Sequence, residues 1–256
     1  MPQNDSTNDS TIELLTGKNR AGKKSKWPAR LDYFQSATGI FLALFITFHI
    51  LFESSILLGK GAMYTLTKAF EGEPLIEAEP LIITALAFII FSLFIFHAFL
   101  AMRKFPASYK EYQRYRAHRK LLKHDDTNLW FIQITTGFAM FFLGSIHLYM
   151  MMSMPDKIGP YASADRIYSD WMWPMYLFLL IAVVLHAWIG VYRLILKWGW
   201  FDGADPRKNR KRSKMMIKGL IVIYLVLGLL SLATYMKIGY EHQDDYGSRY
   251  VMEKTK

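Results

Sequence analysis

The sequence predicts an all-α membrane protein in which five transmembrane helices form one bundle. Two observations support this prediction: five long apolar segments and a one-sided distribution of positive charge. Of the 256 residues, 52% are hydrophobic. A helix rises about 1.5 Å per residue, so about 20 apolar residues cross the hydrocarbon core of a bilayer. The five apolar segments are residues 34–58, 81–102, 129–154, 171–196 and 215–236.

Lys and Arg concentrate on one side of the predicted membrane. Residues 1–30, 103–125 and 193–218 together contain 23 of the 31 Lys and Arg residues, and the remaining segments contain 8. Cytoplasmic segments of membrane proteins are enriched in these residues. We therefore expect a cytoplasmic N-terminus and a C-terminus on the outer side. The net charge of +10 then reflects membrane orientation, and we expect no nucleic-acid binding.

Three segments make up the predicted organisation. Residues 1–30 are polar and then basic, without the apolar core of a signal peptide, and are expected to form a cytoplasmic tail. Residues 31–238 are expected to form the five-helix domain, and residues 239–256 a tail on the outer side. The chain has no Cys, which excludes disulfides, covalent c-type haem, and thiolate or iron–sulfur sites held by this chain.

The helix boundaries and the connections follow from composition. The first helix is expected to begin after Pro28. The connection 103–125 is basic and is expected to be partly helical at the membrane surface, whereas 59–79 is rich in Pro and Glu and is expected to be irregular. Residues 198–212 contain Gly, Asp and Pro and are expected to form a turn. Tryptophans that mark the two ends of the fourth helix are Trp171, Trp173, Trp198 and Trp200.

Each of the first four apolar segments contains one histidine. These residues are His49, His97, His147 and His186. Burying an imidazole in hydrocarbon costs free energy unless its nitrogens have partners. From the helical rise, His97 and His186 lie about 9–11 Å inside the cytoplasmic edge, and the other two lie about 28–32 Å from it. Two imidazoles at one depth suit a six-coordinate haem iron, so we predict two stacked, non-covalent b haems, each with two His ligands.

Two internal repeats accompany these histidines. The first segment contains QSATG at 35–39, ten residues before its histidine, and the third contains QITTG at 133–137 at the same distance. The second and fourth segments contain HAFLAMR and HAWIGVYR, which start at their histidines. A single histidine in a membrane helix is more often a hydrogen-bonded core residue or a proton relay. The paired depths and the repeats favour haem ligation over that alternative.

A zinc site is a second possibility for buried histidines, and three further histidines lie outside the apolar segments. Zinc is disfavoured because the two pairs lie too far apart to share an ion and no Cys or carboxylate completes either pair. His118, His124 and His242 lie in polar segments and are expected to be solvated, with His124 close enough to the inner edge to approach a haem propionate.

Three stretches of sequence resemble a known family. HAFLAMRKFP at 97–106, GFAMFFLGSIHLYMM at 137–151 and KWGWFDG at 197–203 resemble the dihaem cytochrome b subunit of quinol:fumarate reductase, of the type found in epsilon- and delta-proteobacteria. The similarity extends from about residue 26 to residue 203. It implies a multi-pass protein of the bacterial inner membrane, with its C-terminus in the periplasm, that anchors an iron–sulfur subunit and a flavoprotein subunit. The oligomeric state beyond this heterotrimer stays open, with a dimer of heterotrimers as one candidate. Electrons from menaquinol would pass through two b haems to fumarate, which is reduced to succinate at the flavin.

The resemblance also implies roles for individual residues. The proximal haem, nearer the iron–sulfur subunit, would be bound by His97 and His186, and the distal haem by the other pair, which agrees with the depths. Arg166 would contact the distal propionates, and Glu71 would be the acid of the quinol site, although a solvated loop glutamate is the alternative. The contacts implied for the proximal propionates are Gln35, Ser36, Lys104, Trp130 and Lys197.

One position departs from the family. The resemblance implies a membrane glutamate two residues before the fourth haem histidine, proposed to return protons across the membrane, and Val184 occupies that position here. Glu53, one turn beyond His49, is a candidate substitute. Alternatively, Glu53 is a membrane-edge residue hydrogen-bonded to Ser54 or Ser55. Three other functions stay open: the same role in a succinate:quinone reductase working in the opposite direction, the cytochrome b of a membrane hydrogenase or formate dehydrogenase, and a haem-free, proton-relaying transporter or anchor.

Overall fold

The computed structural model describes residues 25–73, 75, 77–104, 108–122 and 125–252. These residues form eight α-helices and two short 3-10 helices, with no β-strand among them, which confirms the predicted all-α class. The 3-10 helices are Ser55–Leu58 and Gln243–Asp245. The α-helices are α1 (Trp27–Ser54), α2 (Lys60–Phe70), α3 (Leu81–Met102), α4 (Tyr109–Leu122), α5 (Asp125–Ser153), α6 (Pro160–Tyr168), α7 (Trp173–Trp198) and α8 (Pro206–Glu241).

Five of these helices, α1, α3, α5, α7 and α8, are long and apolar enough to cross a membrane, as predicted. Large apolar side chains point away from the bundle on these helices. Phe99 on α3 is 71% exposed and Phe178 on α7 is 63% exposed. Exposed apolar surface on this scale is expected where lipid, rather than water, surrounds a helix.

Four of the spanning helices form a ring. Around it, α1 packs against α3, α3 against α5, α5 against α7, and α7 against α1. The last helix, α8, packs outside the ring against α1 and α7. Each ring helix carries one of the four membrane histidines, so the ring directs one imidazole from every side toward a common interior.

The helix boundaries have local chemical causes. Pro28 lies in the first turn of α1, where backbone N–H groups make no hydrogen bond within the helix, so a proline is tolerated there. The helix begins at Trp27, slightly earlier than predicted. Helix α7 ends at Trp198, and the next residue, Gly199, has a positive φ of 66° that suits a C-terminal cap. Helix α8 begins after Asp205, whose side chain accepts a hydrogen bond from the Lys208 backbone N–H at 3.1 Å. The predicted turn 198–212 is therefore too long, because α8 starts inside it.

The connections contain more helix than the sequence indicated. The prediction that 59–79 is irregular is wrong, because Lys60–Phe70 forms α2. Met63 and Thr67, one turn apart, are buried and give this short helix a packed face. The predicted surface helix within 103–125 is present as α4, and a further short helix, α6, lies in the connection before α7. We call the end of the bundle that carries α2 and α6 the α2/α6 end.

The chain folds back on the α2/α6 end after α8. We call residues 242–252 the C-terminal clasp. His242 is only 7% exposed, its Nδ1 lies 3.0 Å from Asp165 Oδ1 and its Nε2 lies 2.9 Å from Ser248 Oγ, and its ring stacks on Tyr161 at 3.9 Å. The prediction that His242 is solvated is wrong, because Asp165 of α6 and Ser248 of the clasp lie within hydrogen-bond distance of its two ring nitrogens. The side chains of His118 and His124 lie outside the described residues.

Candidate functional site

A cavity of about 1110 Å³ runs through the interior of the ring, and we call it the central cavity. Small-molecule sites in proteins commonly measure about 300–1,000 Å³, so this cavity exceeds what one small ligand needs. All four membrane histidines line it. Asp32 lies at one end of the cavity, which we call the Asp32 end, and Arg166 lies at the α2/α6 end.

The histidines meet in two pairs across the cavity. The ring centroids of His97 and His186 are 6.4 Å apart, and those of His49 and His147 are 5.9 Å apart. These are the pairs that were expected from the depths. Two imidazoles on opposite sides of one metal ion, with metal–nitrogen bonds of about 2 Å, place their ring centroids about 6 Å apart. Both pairs therefore have the separation that one six-coordinate iron requires.

Backbone and hydroxyl oxygens hold the Nδ1 atoms of the first pair. His186 Nδ1 lies 2.8 Å from the Gln133 carbonyl oxygen, which can only accept, so Nδ1 carries the hydrogen. His97 Nδ1 lies 3.0 Å from Thr38 Oγ1 and also bonds the Gln35 backbone. The Thr38 hydroxyl donates its own hydrogen to a backbone carbonyl, so it accepts from His97. Both rings are thereby fixed in the tautomer that leaves Nε2 free to bind a metal.

Glycines allow these imidazoles to lie against the neighbouring helix. A Cβ built on Gly39 would stand 3.1 Å from His97 Cε1, and one on Gly137 would stand 2.7 Å from His186 Cε1. This arrangement explains the Gln-x-x-x-Gly repeat. Each copy supports the histidine of an adjacent helix through a backbone carbonyl and a glycine, and does not serve the histidine ten residues later on its own helix.

The other pair has a polar atom that the described residues leave unsatisfied. His147 Nδ1 is buried and has no hydrogen-bond partner among them. His49 stacks on Phe45 at 5.4 Å, and His147 meets the edge of Tyr176 at 5.6 Å. Buried polar atoms are almost always satisfied in folded proteins, so an unsatisfied nitrogen on a histidine that lines the cavity is consistent with a site for a bound group. The residues of both pairs thus fit a haem with two imidazole ligands.

A cluster of charges lies at the Asp32 end. Asp32 carboxylate oxygens lie 2.7 Å from Lys104 Nζ, 3.1 Å from Lys197 Nζ and 3.3 Å from Arg103 Nη2. Lys197 also donates to Ser36 Oγ at 3.0 Å. Three cations around one carboxylate leave a net charge of +2, which matches the two carboxylates of one haem. Asp32 was missed by the sequence reasoning, because its partners come from α3 and α7.

The other residues expected near the proximal propionates also reach the cavity. Gln35 and Trp130 line it, and the Gln35 Oε1 atom is buried without a partner among the described residues. Arg193 was missed, although it lines the same wall and donates to Gln133 Oε1 at 2.7 Å. Its position in the HAWIGVYR repeat was a usable signal, since a buried arginine in a membrane helix needs a partner inside the bundle.

The residues expected at the distal end differ in their relation to the cavity. Arg166 lines it, hydrogen-bonds Tyr176 and donates to the Lys157 carbonyl. Glu71 is only 3% exposed, but it is absent from the described residues that line the cavity. Its Oε2 accepts a hydrogen bond from Lys68 Nζ at 2.6 Å. The structure thus places Glu71 at the end of α2, just behind the cavity wall.

Glu53 lines the central cavity, whereas Val184 is fully buried in an apolar cluster and is not among the described residues that line the cavity. Glu53 Oε2 accepts a hydrogen bond from the Tyr235 hydroxyl at 3.1 Å. The expected partners were Ser54 and Ser55, and this expectation is wrong. Ser54 donates to a backbone carbonyl of its own helix, and Ser55 donates to a methionine sulfur.

Comparisons with known proteins point in one direction. The family model described as "Succinate dehydrogenase/Fumarate reductase transmembrane subunit" matches residues 110–227. The "Fumarate reductase cytochrome b subunit" of Wolinella succinogenes is 50% identical over 239 residues, which cover 93% of each chain. The protein of the same name from Helicobacter pylori strain J99 is 46% identical over 235 residues, which cover 91% of each chain.

Proposed function

Because the chain belongs to the family of fumarate reductase cytochrome b subunits, we propose that it anchors a quinol:fumarate reductase and conducts electrons from menaquinol through two b haems to the iron–sulfur subunit. The flavoprotein subunit of the same complex would then reduce fumarate to succinate, a reaction that this chain does not perform alone. The observation that carries the proposal is the pair of imidazole–imidazole separations, 6.4 and 5.9 Å, inside one cavity.

The four histidines would bind the two irons. His97 with His186 would hold the proximal haem, and His49 with His147 the distal haem. When bound, each haem supplies a centre that accepts and donates one electron. The hydrogen bonds at the proximal Nδ1 atoms fix the ring planes and increase the basicity of the Nε2 ligand atoms. The protein thereby sets the orientation and the electronic properties of the proximal site.

Basic and polar side chains would bind the haem propionates. At the Asp32 end, Lys104 and Lys197 supply positive charge, and Ser36, Gln35 and Trp130 supply neutral polar atoms around the same wall. Arg166 would serve the distal propionates, and its contacts with the Lys157 carbonyl and with Tyr176 of α7 hold it at the other end of the cavity. Pairing of propionates with cations stabilises carboxylates that would otherwise be buried without compensation.

Quinol oxidation is proposed at the α2/α6 end. Oxidation of one quinol releases two electrons and two protons, so a carboxylate near the distal pair is a suitable proton acceptor. We propose Glu71 for this role. Thr67 and Phe70 of the same helix form part of the cavity wall, and Lys68 holds the Glu71 carboxylate in a buried position next to that wall.

The proposed orientation places the Asp32 end in the cytoplasm. Lys104 and Lys197, which belong to the basic segments 103–125 and 193–218, contact Asp32 at this end, and the two segments would face the iron–sulfur subunit. The α2/α6 end and the C-terminal clasp would lie on the periplasmic side of the bacterial inner membrane. The complex would be a heterotrimer of this chain, the iron–sulfur subunit and the flavoprotein subunit.

A redox difference spectrum of the purified membrane complex tests the proposal. We expect reduced b-type bands and two non-covalent haems per copy of this chain, and reduction of these haems by a menaquinol analogue in the absence of fumarate. A protein that contains no haem would contradict the proposal and would favour the haem-free, proton-relaying anchor instead.

A further inference from the structure

Glu53 is an unusual residue for its position. Among the described residues that line the central cavity, Asp32 and Glu53 are the only carboxylates, and Asp32 is already surrounded by three cations at its own end. Glu53 lies inside α1, one turn after His49. A carboxylate within a membrane span is costly and usually has a function. Because Glu53 lies on the cavity wall, its negative charge acts on whatever charge the cavity holds.

We propose that Glu53 binds one proton when an electron arrives between His49 and His147, and releases that proton when the electron leaves. This inference rests on the proposed function, since it requires a redox centre between the two imidazoles. Glu53 would be a positioning residue for charge, because it acts on the redox centre through the electric field. It would not bind the iron or the quinol.

The hydrogen bond from Tyr235 defines the Glu53 site. The Tyr235 hydroxyl donates to Glu53 Oε2 at 3.1 Å, and Tyr235 is only 2% exposed. One residue further along α1, Ser231 donates to Ser54 at 3.2 Å. These two polar contacts join α1 to α8, as does a hydrogen bond between Thr47 and Tyr224, so the carboxylate is held at the cavity wall and does not reach toward the membrane edge.

The charged and titratable groups around Glu53 come from several helices. Tyr235 faces it from α8, Tyr176 from α7 and Arg166 from α6, and all three interact electrostatically in this region. His49 lies on the same helix and His147 on α5. In the part of α3 that lines this region of the cavity, the described side chains are apolar. Helix α2, whose Phe70 contacts Phe52 beside Glu53, carries the Lys68–Glu71 ion pair, which has no net charge, so Arg166 supplies the net positive charge among these described residues.

Electrostatics links electron and proton at this site. Unit charges interact far more strongly in an apolar bundle than in water, so an electron next to a carboxylate is unfavourable unless a cation accompanies it. Protonation of the Glu53 carboxylate to a carboxylic acid cancels the added negative charge. A quinol supplies both the electron and the proton. One of its protons resides on Glu53 while the electron is at the distal site, and no covalent bond to carbon forms or breaks.

Redox titration of the intact complex at several pH values tests the inference. We expect the distal midpoint potential to fall with rising pH by up to about 59 mV per pH unit, the value for one proton per electron. Glu53→Gln should remove this slope and leave the proximal potential unchanged. An infrared difference spectrum between reduced and oxidised protein should contain a carboxylic acid band that Glu53→Gln abolishes. Glu77→Gln, an exposed carboxylate outside the spans, is the matched control and should change neither result.

Two outcomes would overturn the inference without affecting the proposed function. One is a two-haem protein whose distal potential does not vary with pH. The other is a slope and an infrared band that persist in Glu53→Gln. If Glu53→Gln fails to retain the distal haem, Tyr235→Phe decides: removal of the hydrogen-bond donor should move the pH range of the slope, and an unmoved range would refute the role of Glu53. A purified complex without haem would instead refute the proposed function.

Discussion

Gly137 on α5 and His186 on α7 approach so closely that a Cβ on the glycine would stand 2.7 Å from the imidazole Cε1. Real Cβ atoms essentially never approach another heavy atom so closely. The imidazole cannot retreat easily, because its Nδ1 is hydrogen-bonded to the Gln133 carbonyl on the same helix as Gly137. One short stretch of α5 therefore sets both the height and the tautomer of this histidine.

Gly137→Ala should selectively impair the proximal haem site. The added methyl group would push His186 off its hydrogen bond, at a cost of about 1–3 kcal/mol for overpacking. We expect loss of most of one haem per chain, measured by the difference spectrum, while the distal haem stays bound. Gly219→Ala on α8 is the matched control, because a Cβ there meets nothing within 4 Å. Equal haem loss in both variants would contradict this explanation.

Single histidine substitutions should separate the two haems. His97→Ala should remove the proximal haem and spare the distal one, and His49→Ala should do the reverse, because each imidazole faces only its own partner across the cavity. Each variant should contain about half of the wild-type haem, with distinct remaining midpoint potentials. Loss of the same haem in both variants would show that the pairing is wrong.

The charge of the Asp32 cluster should tune the proximal haem. Asp32→Asn raises the net charge of the cluster from +2 to +3, which favours an added electron, so the proximal midpoint potential should rise by on the order of tens of mV. Lys104→Met lowers the net charge and should shift the same potential in the opposite direction. Potentiometric titration of both variants checks the signs. Shifts of the same sign would show that packing, and not charge, dominates.

The C-terminal clasp should depend on His242. His242→Ala would remove the ring stacked on Tyr161 and would leave Asp165 with fewer partners, at a cost of about 1–3 kcal/mol for a buried polar group. The Gly247 N–H still donates to Asp165 at 2.9 Å, so we expect local opening and not global unfolding. Limited proteolysis should cleave the clasp roughly tenfold faster. Asp244→Asn, at an exposed site in the same segment, should leave the cleavage rate unchanged.

The turn before α8 offers a test in acid. Hydrogen bonds from Arg210 lower the pKa of Asp202 below its ordinary value of 3.8. Because the pKa of Asp202 is lower in the folded state, its contact with Arg210 stabilises the turn fully above pH 3.8. This stabilisation is lost as the pH falls through the lowered pKa. Carboxyl chemical shifts should show Asp202 titrating below 3.8, and Arg210→Met should return its pKa toward 3.8.

The sequence predicted the spanning helices and the histidine pairs because both depend on local properties. Length and apolarity identify a membrane span, and the helical rise converts residue number into depth. Depth alone matched His97 with His186, and the structure brings these two side chains together. The Gln-x-x-x-Gly repeat was also found, but not the contact that it makes, because a pattern within one helix does not reveal which histidine of a neighbouring helix it supports.

The parts that the sequence did not predict depend on contacts between distant segments. Asp32 meets Lys197 from 165 residues away, and the clasp reaches Asp165 across 82 residues at Gly247. Neither relationship leaves a periodic signal in the chain. The position of α8 outside the ring was equally hidden, because all five spans are similarly apolar. Helix α8 is the one span without a membrane histidine, and the structure shows that the four spans with a histidine are the four that form the ring.

The hydrogen bond between Glu53 and Tyr235 spans 182 residues of the chain, and this separation has a consequence for biosynthesis. At a synthesis rate of about 5–20 residues per second, the first helix waits on the order of 10–40 seconds before its last partner emerges from the ribosome. During that interval the acidic side chain of Glu53 lies in a bilayer without the Tyr235 hydroxyl that hydrogen-bonds it in the folded protein. We expect the insertion machinery to shelter this helix until the fifth is released, so that slowed translation of the final helix should yield more degraded than assembled protein.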